Sequence, residues 1–120
     1  MKKMSPLTLA FIGDSIYELM IREYIVGKGN APVKKLSSEK VTYVCCEFQA
    51  KAAAKLMDMF TEEERDFYNR GRNAHVGHVP KNSTAADYHA ATALECLFGY
   101  LYLTGKTDRL KDFFNIIIEM

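Results

Sequence analysis

Only three prolines and seven glycines interrupt the 120 residues of this chain, and that scarcity constrains its fold more than any other feature. A many-stranded sheet needs turn residues at short intervals, whereas long stretches without them favour helices. Ser5-Pro6 reads as a helix start, with serine as the cap and proline in the first turn. From there Leu9, Ile12, Ile16, Leu19 and Ile25, with Tyr17 and Tyr24 beside them, keep helical spacing until Gly27 and Gly29 end the run. Gly13 lies inside this helix, where it costs roughly 1 kcal/mol relative to alanine. A glycine in that place implies something packed close to the backbone.

The rest of the chain reads the same way. Ala31-Pro32 opens a second helix over about 33–44, and a third, rich in Ala and Lys, follows over about 46–60, with a joint near Cys45. Thr61 and Glu64 form a capping box for a fourth helix ending near Gly71. Residues 71–82 have no helical period and contain Gly71, Gly77 and Pro80. They predict a loop longer than most helix–helix connections, which points to function. Ser83 or Thr84 caps a long helix through Tyr102 closed by Gly105, and a last helix starts at Thr107 or Asp108. The expectation is an all-α bundle of about six helices forming one domain over 1–120.

Hydrophobic residues make up 48% of the chain, a globular composition. The formal net charge is +1, so any nucleic-acid site must arise from local clustering. Cys45, Cys46 and Cys96 are odd in number and include an adjacent pair, which gives no disulfide framework and suits reduced thiols. The N-terminal apolar run is too short and too interrupted for a membrane span. A cytoplasmic protein without a membrane partner is expected.

Two acids stand in unfavourable company. Asp14 follows Ala10-Phe11-Ile12-Gly13, and Glu95 lies within Ala93-Leu94-Glu95-Cys96-Leu97-Phe98. Apolar neighbours make a carboxylate costly to bury. Two such groups from different helices can meet to hold a hard divalent cation such as magnesium, which prefers carboxylate oxygens and retains waters. Alternatively, each pairs with a nearby base such as Arg22. Glu18, one turn after Asp14, is either a support for that site or part of a helix ion pair. Thr92, one turn before Glu95, carries a hydroxyl that can orient water there.

The window 67–86 contains no Asp or Glu, yet holds Arg70, Arg72 and Lys81 with His75 and His78. Arg and Lys on a glycine-containing loop suit phosphate contacts, and Asn73 and Asn82 can add hydrogen bonds. A solvated loop with ordinary charges is the plain alternative. His75 and His78 lack a nearby third ligand for zinc, and the tyrosines read as core or interface before base-stacking platforms.

Phe11-Ile12-Gly13-Asp14-Ser15-Ile16-Tyr17-Glu18-Leu19 resembles the signature helix of the ribonuclease III family, and Ala93–Leu103 resembles its second acidic motif. Arg70-Gly71-Arg72-Asn73-Ala74, then Gly77 and Val79-Pro80-Lys81-Asn82, is similar to the loop of the Mini-III branch, which lacks the double-stranded-RNA-binding domain. The resemblance covers about Ser5 to Gly105. It implies an all-helical endonuclease domain, homodimeric, that cuts duplex RNA to leave a 5′-phosphate and a 3′-hydroxyl. Asp14 and Glu95 are then catalytic and bind magnesium, with manganese as a substitute. Glu18 and Thr92 would support them, and Arg70, Arg72, Asn73, Lys81 and Asn82 would grip RNA. The implied substrate is the precursor of large-subunit ribosomal RNA, with a ribosomal protein as a further partner that presents it. Leu7, Ala10 and Thr92 stand where ordinary members carry acids, and Pro32-Val33-Lys34 occupies the place of another. A non-catalytic RNA-binding or ribosome-associated protein on the same fold is the alternative.

Overall fold

A computed structural model describes residues 1–75 and 77–120. Its helices are α1 (Pro6–Gly27), α2 (Val33–Val44), α3 (Cys46–Leu56), α4 (Glu62–Arg72), α5 (Ala85–Leu103) and α6 (Thr107–Ile118). There is no strand among the described residues. The expected third helix stops short of Phe60: α3 ends at Leu56 and Met57–Met59 tightens into a 3₁₀ turn. No helix is long and apolar enough to cross a membrane among the described residues.

The caps explain the boundaries. Ser5 Oγ accepts from the Leu7 N–H at 3.2 Å, with Pro6 beginning α1. Thr61 and Glu64 complete both halves of the capping box, at 3.1 and 2.9 Å, and Thr84 rather than Ser83 caps α5. Gly105 takes a positive φ of 74° after α5, a backbone conformation that L side chains rarely adopt.

Helix α5 is the axis of the bundle. Residues 91–94 and 96–101 are buried, because α1, α3, α4 and α6 all pack against it. That all-round burial matches its nearly continuous apolar sequence. Tyr17 meets Phe98 edge-on at 5.6 Å, and Phe67 of α4 stacks on Tyr100 at 4.0 Å.

The most extensive contact joins α1 to α5. Gly13 of α1 lies against the Glu95 backbone: a Cβ there would fall on the Glu95 carbonyl and stand 2.8 Å from the Gly99 nitrogen. Gly99 of α5 reciprocates, since its Cβ would fall on the Leu9 carbonyl. Two helix backbones therefore touch where side chains usually hold them apart. The close neighbour that a glycine implies at this place is thus identified. Here the space beside it is filled by α5 of the same chain.

The α2–α3 joint falls at Cys45, whose backbone is extended (ψ 154°). The break frees carbonyls that a continuous helix would have paired. The Tyr43 carbonyl accepts from the Tyr17 hydroxyl at 2.7 Å, and the Val44 carbonyl accepts from Gln49 Nε2 at 3.0 Å. The first of these bonds ties the joint to α1, and the second ties it to α3.

Candidate active site

The helix crossing brings Asp14 and Glu95 together. Asp14 is exposed at the edge of α1, while Glu95 is half-buried on α5. Burial, then the negative charge of Asp14, pushes the Glu95 carboxyl up to about 8, and a hydrogen bond between the two carboxyls adds to the rise. Gln49 opposes it by donating to Glu95 Oε2 at 3.3 Å. Two carboxylates so close cannot both ionise cheaply without a cation.

The donors suit a hard divalent ion. They are all oxygens, one carboxyl is open to solvent, and Gln49 Oε1 nearby is buried without a hydrogen-bond partner. Among the described residues no third His, Cys, Asp or Glu joins the pair. That suits magnesium, which commonly takes one or two protein carboxylates and keeps its remaining waters.

The remaining sequence-derived residues fall into four settings. Glu18 Oε2 receives Arg22 Nη2 at 2.7 Å and Nε at 2.9 Å, the helix ion pair. Both nevertheless line the same surface depression as Asp14, together with Ser15 and Leu19. Thr92 is buried and donates its hydroxyl to the Tyr88 carbonyl at 3.0 Å, leaving only its lone pairs for another group. Arg70 is engaged within the protein: Nη2 donates to the Met4 carbonyl at 3.0 Å, and the guanidinium lies over Phe67 at 5.1 Å. Arg72, Asn73, Lys81 and Asn82 are exposed on or beside the 73–84 loop, and so are His75 and His78.

Gln49 escaped the sequence reading. Its signal was present: a polar residue at the spacing of Ala52, Ala53 and Leu56, all on the buried face of α3. A polar side chain on a core stripe demands a hydrogen-bonding partner.

A match to the ribonuclease III domain spans residues 7–106 and so takes in both acids, their crossing and the basic loop. The chain belongs to the ribonuclease III family, whose members are endoribonucleases that act on double-stranded RNA, generally use divalent metal ions and are typically dimeric. Within that family it falls in the Mini-ribonuclease 3 branch. It is 43% identical to the Mini-ribonuclease 3 of Thermoanaerobacter sp. (strain X514) over 117 residues, covering 98% of this chain and 82% of the relative. It is 38% identical to that of Enterococcus faecalis over 120 residues, covering 98% and 91%. A crystal structure of a Fusobacterium nucleatum protein superposes with a TM-score of 0.92 at 32% identity, covering 100% of this chain and 98% of that one.

Proposed function

We propose that this chain cleaves double-stranded RNA as a homodimer, with magnesium held between Asp14 and Glu95. The observation that carries this reading is the convergence of those two carboxyls at the α1–α5 crossing, where neither has a base as its partner among the described residues. A scaffold protein gains nothing from pressing two acids together, one of them half-buried among apolar neighbours. Bound there, the metal supplies Lewis-acid stabilisation of phosphate charge and makes water a better nucleophile near neutral pH.

The chain's own residues would do the rest. Asp14, at the open edge, faces incoming phosphate, while Glu95 anchors the site from within. Arg72 and Lys81, with Asn73 and Asn82, would hold the backbone of the duplex; A-form RNA is recognised mostly through shape, phosphates and 2′-hydroxyls. Arg70 would act more as a brace between α4 and the N-terminal segment than as an RNA contact.

A second subunit would cover α1. Leu7, Phe11, Leu19 and Val26 lie along its outer side, and Phe11 is 80% exposed. An apolar stripe of that kind on a single helix is an interface feature. Two sites in a dimer would cut opposite strands. The resemblance to the Mini-III branch supports precursor large-subunit ribosomal RNA as the duplex, in the cytoplasm, with a ribosomal protein presenting it and manganese able to replace magnesium.

The test is cleavage of duplex RNA in magnesium. Asp14→Asn and Glu95→Gln should each lose more than the roughly 10–100-fold typical of residues that merely support a metal ligand, while still binding duplex. Cleavage by either variant at the wild-type rate would overturn the assignment.

A further inference from the structure

Gln49 is 3% exposed, and its amide is divided between two tasks. The nitrogen donates both to the Val44 carbonyl at 3.0 Å and to Glu95 Oε2 at 3.3 Å. The oxygen is buried and has no partner. Val44's carbonyl can only accept, so turning the amide over would lose that bond and bring two oxygens face to face. The end that meets Glu95 is therefore the donor end, and Glu95 Oε2 must be an accepting oxygen. The same carboxyl meets Asp14, so one group is held by the amide and by its acid neighbour together.

The anchor of this arrangement is the helix break. Val44's carbonyl is free because Cys45 is extended, and Gln49 stands at the start of α3, its own N–H donating to the Cys45 carbonyl at 3.1 Å. The α2–α3 joint thus sets the amide, and the amide sets the rotation of the Glu95 carboxyl.

We propose that Gln49 is a positioning residue for the Asp14–Glu95 pair, locking the Glu95 carboxylate in the rotation that presents an oxygen beside Asp14. Gln49 Oε1, buried and without a hydrogen-bond partner, is a spare acceptor on the same amide. This rests on the reading of Asp14 and Glu95 as a metal pair. An apolar residue of similar length, as in Gln49→Met, keeps the packing of α3 but cannot hold the carboxylate.

Two measurements test it. The first is Mn²⁺ binding to RNA-free protein by calorimetry, alongside kcat and KM for a duplex substrate. Gln49→Met should weaken Mn²⁺ binding by about tenfold or more and lower kcat, with KM for RNA unchanged and kcat partly restored at high Mn²⁺. Wild-type Mn²⁺ affinity in a folded Gln49→Met protein would overturn the proposal. The second uses only wild-type protein, so it stands even if the variant does not fold. On titration with Mg²⁺ alone, the side-chain NH₂ resonances of Gln49 should shift together with the backbone amides of Ser15 and Cys96. Shifts at Ser15 and Cys96 without any at Gln49 would sink the positioning role alone. No shift at any of the three would overturn the metal pair itself, and Gln49's role with it.

Discussion

Gly13 lies flat against the backbone carbonyl of Glu95, with no room for a β carbon between them. The residue after that glycine is Asp14, so the same contact that joins α1 to α5 delivers one acid to the other. Gly13→Ala should therefore destabilise the protein by about 3 kcal/mol, the upper end for overpacking, because the obstacle is backbone and cannot rotate away. Gly27 offers the contrast: a Cβ there meets nothing within 4 Å, and Gly27→Ala at the end of α1 should stabilise by roughly 0.5 kcal/mol. Urea unfolding of both variants checks the pair of signs.

Acidity at the site should be visible in stability. Glu95 titrates at about 8 in the folded, metal-free protein against an ordinary 4.5. A raised carboxyl favours the folded state at low pH, and that contribution is lost as pH climbs from about 4.5 through 8. In chelator, the melting temperature should fall across that window. Magnesium should restore it most at the alkaline end, where both acids are ionised. Asp14→Asn should flatten the decline by removing the neighbouring charge, which pairs a gain in metal-free stability with a loss of cleavage.

Far from the site, Glu64 is 4% exposed and receives Arg109 Nε at 2.8 Å and Nη2 at 3.0 Å. Burial pushes its carboxyl up, but the Arg109 hydrogen bond, the Thr61 N–H and the charges of Arg109 and Lys106 together hold it below the usual value. Arg109→Met should cost about 2 kcal/mol, the scale of a hydrogen bond to a charged group, without changing cleavage per folded molecule. The pair's contribution should fade as pH drops below 4.5, opposite in sense to that of Glu95.

The proposed RNA grip should be separable from chemistry. Arg72→Ala and Lys81→Ala should each weaken duplex binding and make the slope of log affinity against log salt shallower by roughly one. Binding measured at several salt concentrations reads both effects. An unchanged slope for both variants would remove the loop from the interface.

Phe11→Asp and Leu19→Lys should leave the monomer folded but convert a dimer to monomers in sedimentation at micromolar concentration. Duplex cleavage should fall with dissociation. A wild-type protein that sediments as a monomer would contradict the proposed assembly.

Much of this architecture was legible because local chemistry marks it. The Ser5-Pro6 start, the Cys45 joint and the Thr61–Glu64 capping box are short-range signals, and each element they bound is found. Asp14 and Glu95 were conspicuous because acids are costly in apolar runs. What could not be read depended on partners distant in sequence. Gly13 announced a close neighbour without saying that it was Glu95. Gln49 looked like one polar residue in an alanine-rich helix until the Val44 carbonyl gave it a bond to make. Arg70 looked free until the N-terminal segment folded under it, and the 3₁₀ turn at Met57–Met59 carries no glycine or proline to mark it.

The close seating of α1 on α5 also bears on when the enzyme comes into being. Each helix can begin to form from local interactions, but the acids they carry stand near opposite ends of the chain. Contacts of such long sequence separation form late and slowly relative to local helix formation. The acid pair is thus a product of docking, not of helix formation. A chain still emerging from synthesis, or one whose α1 has swung away, carries every residue of the site and none of its geometry.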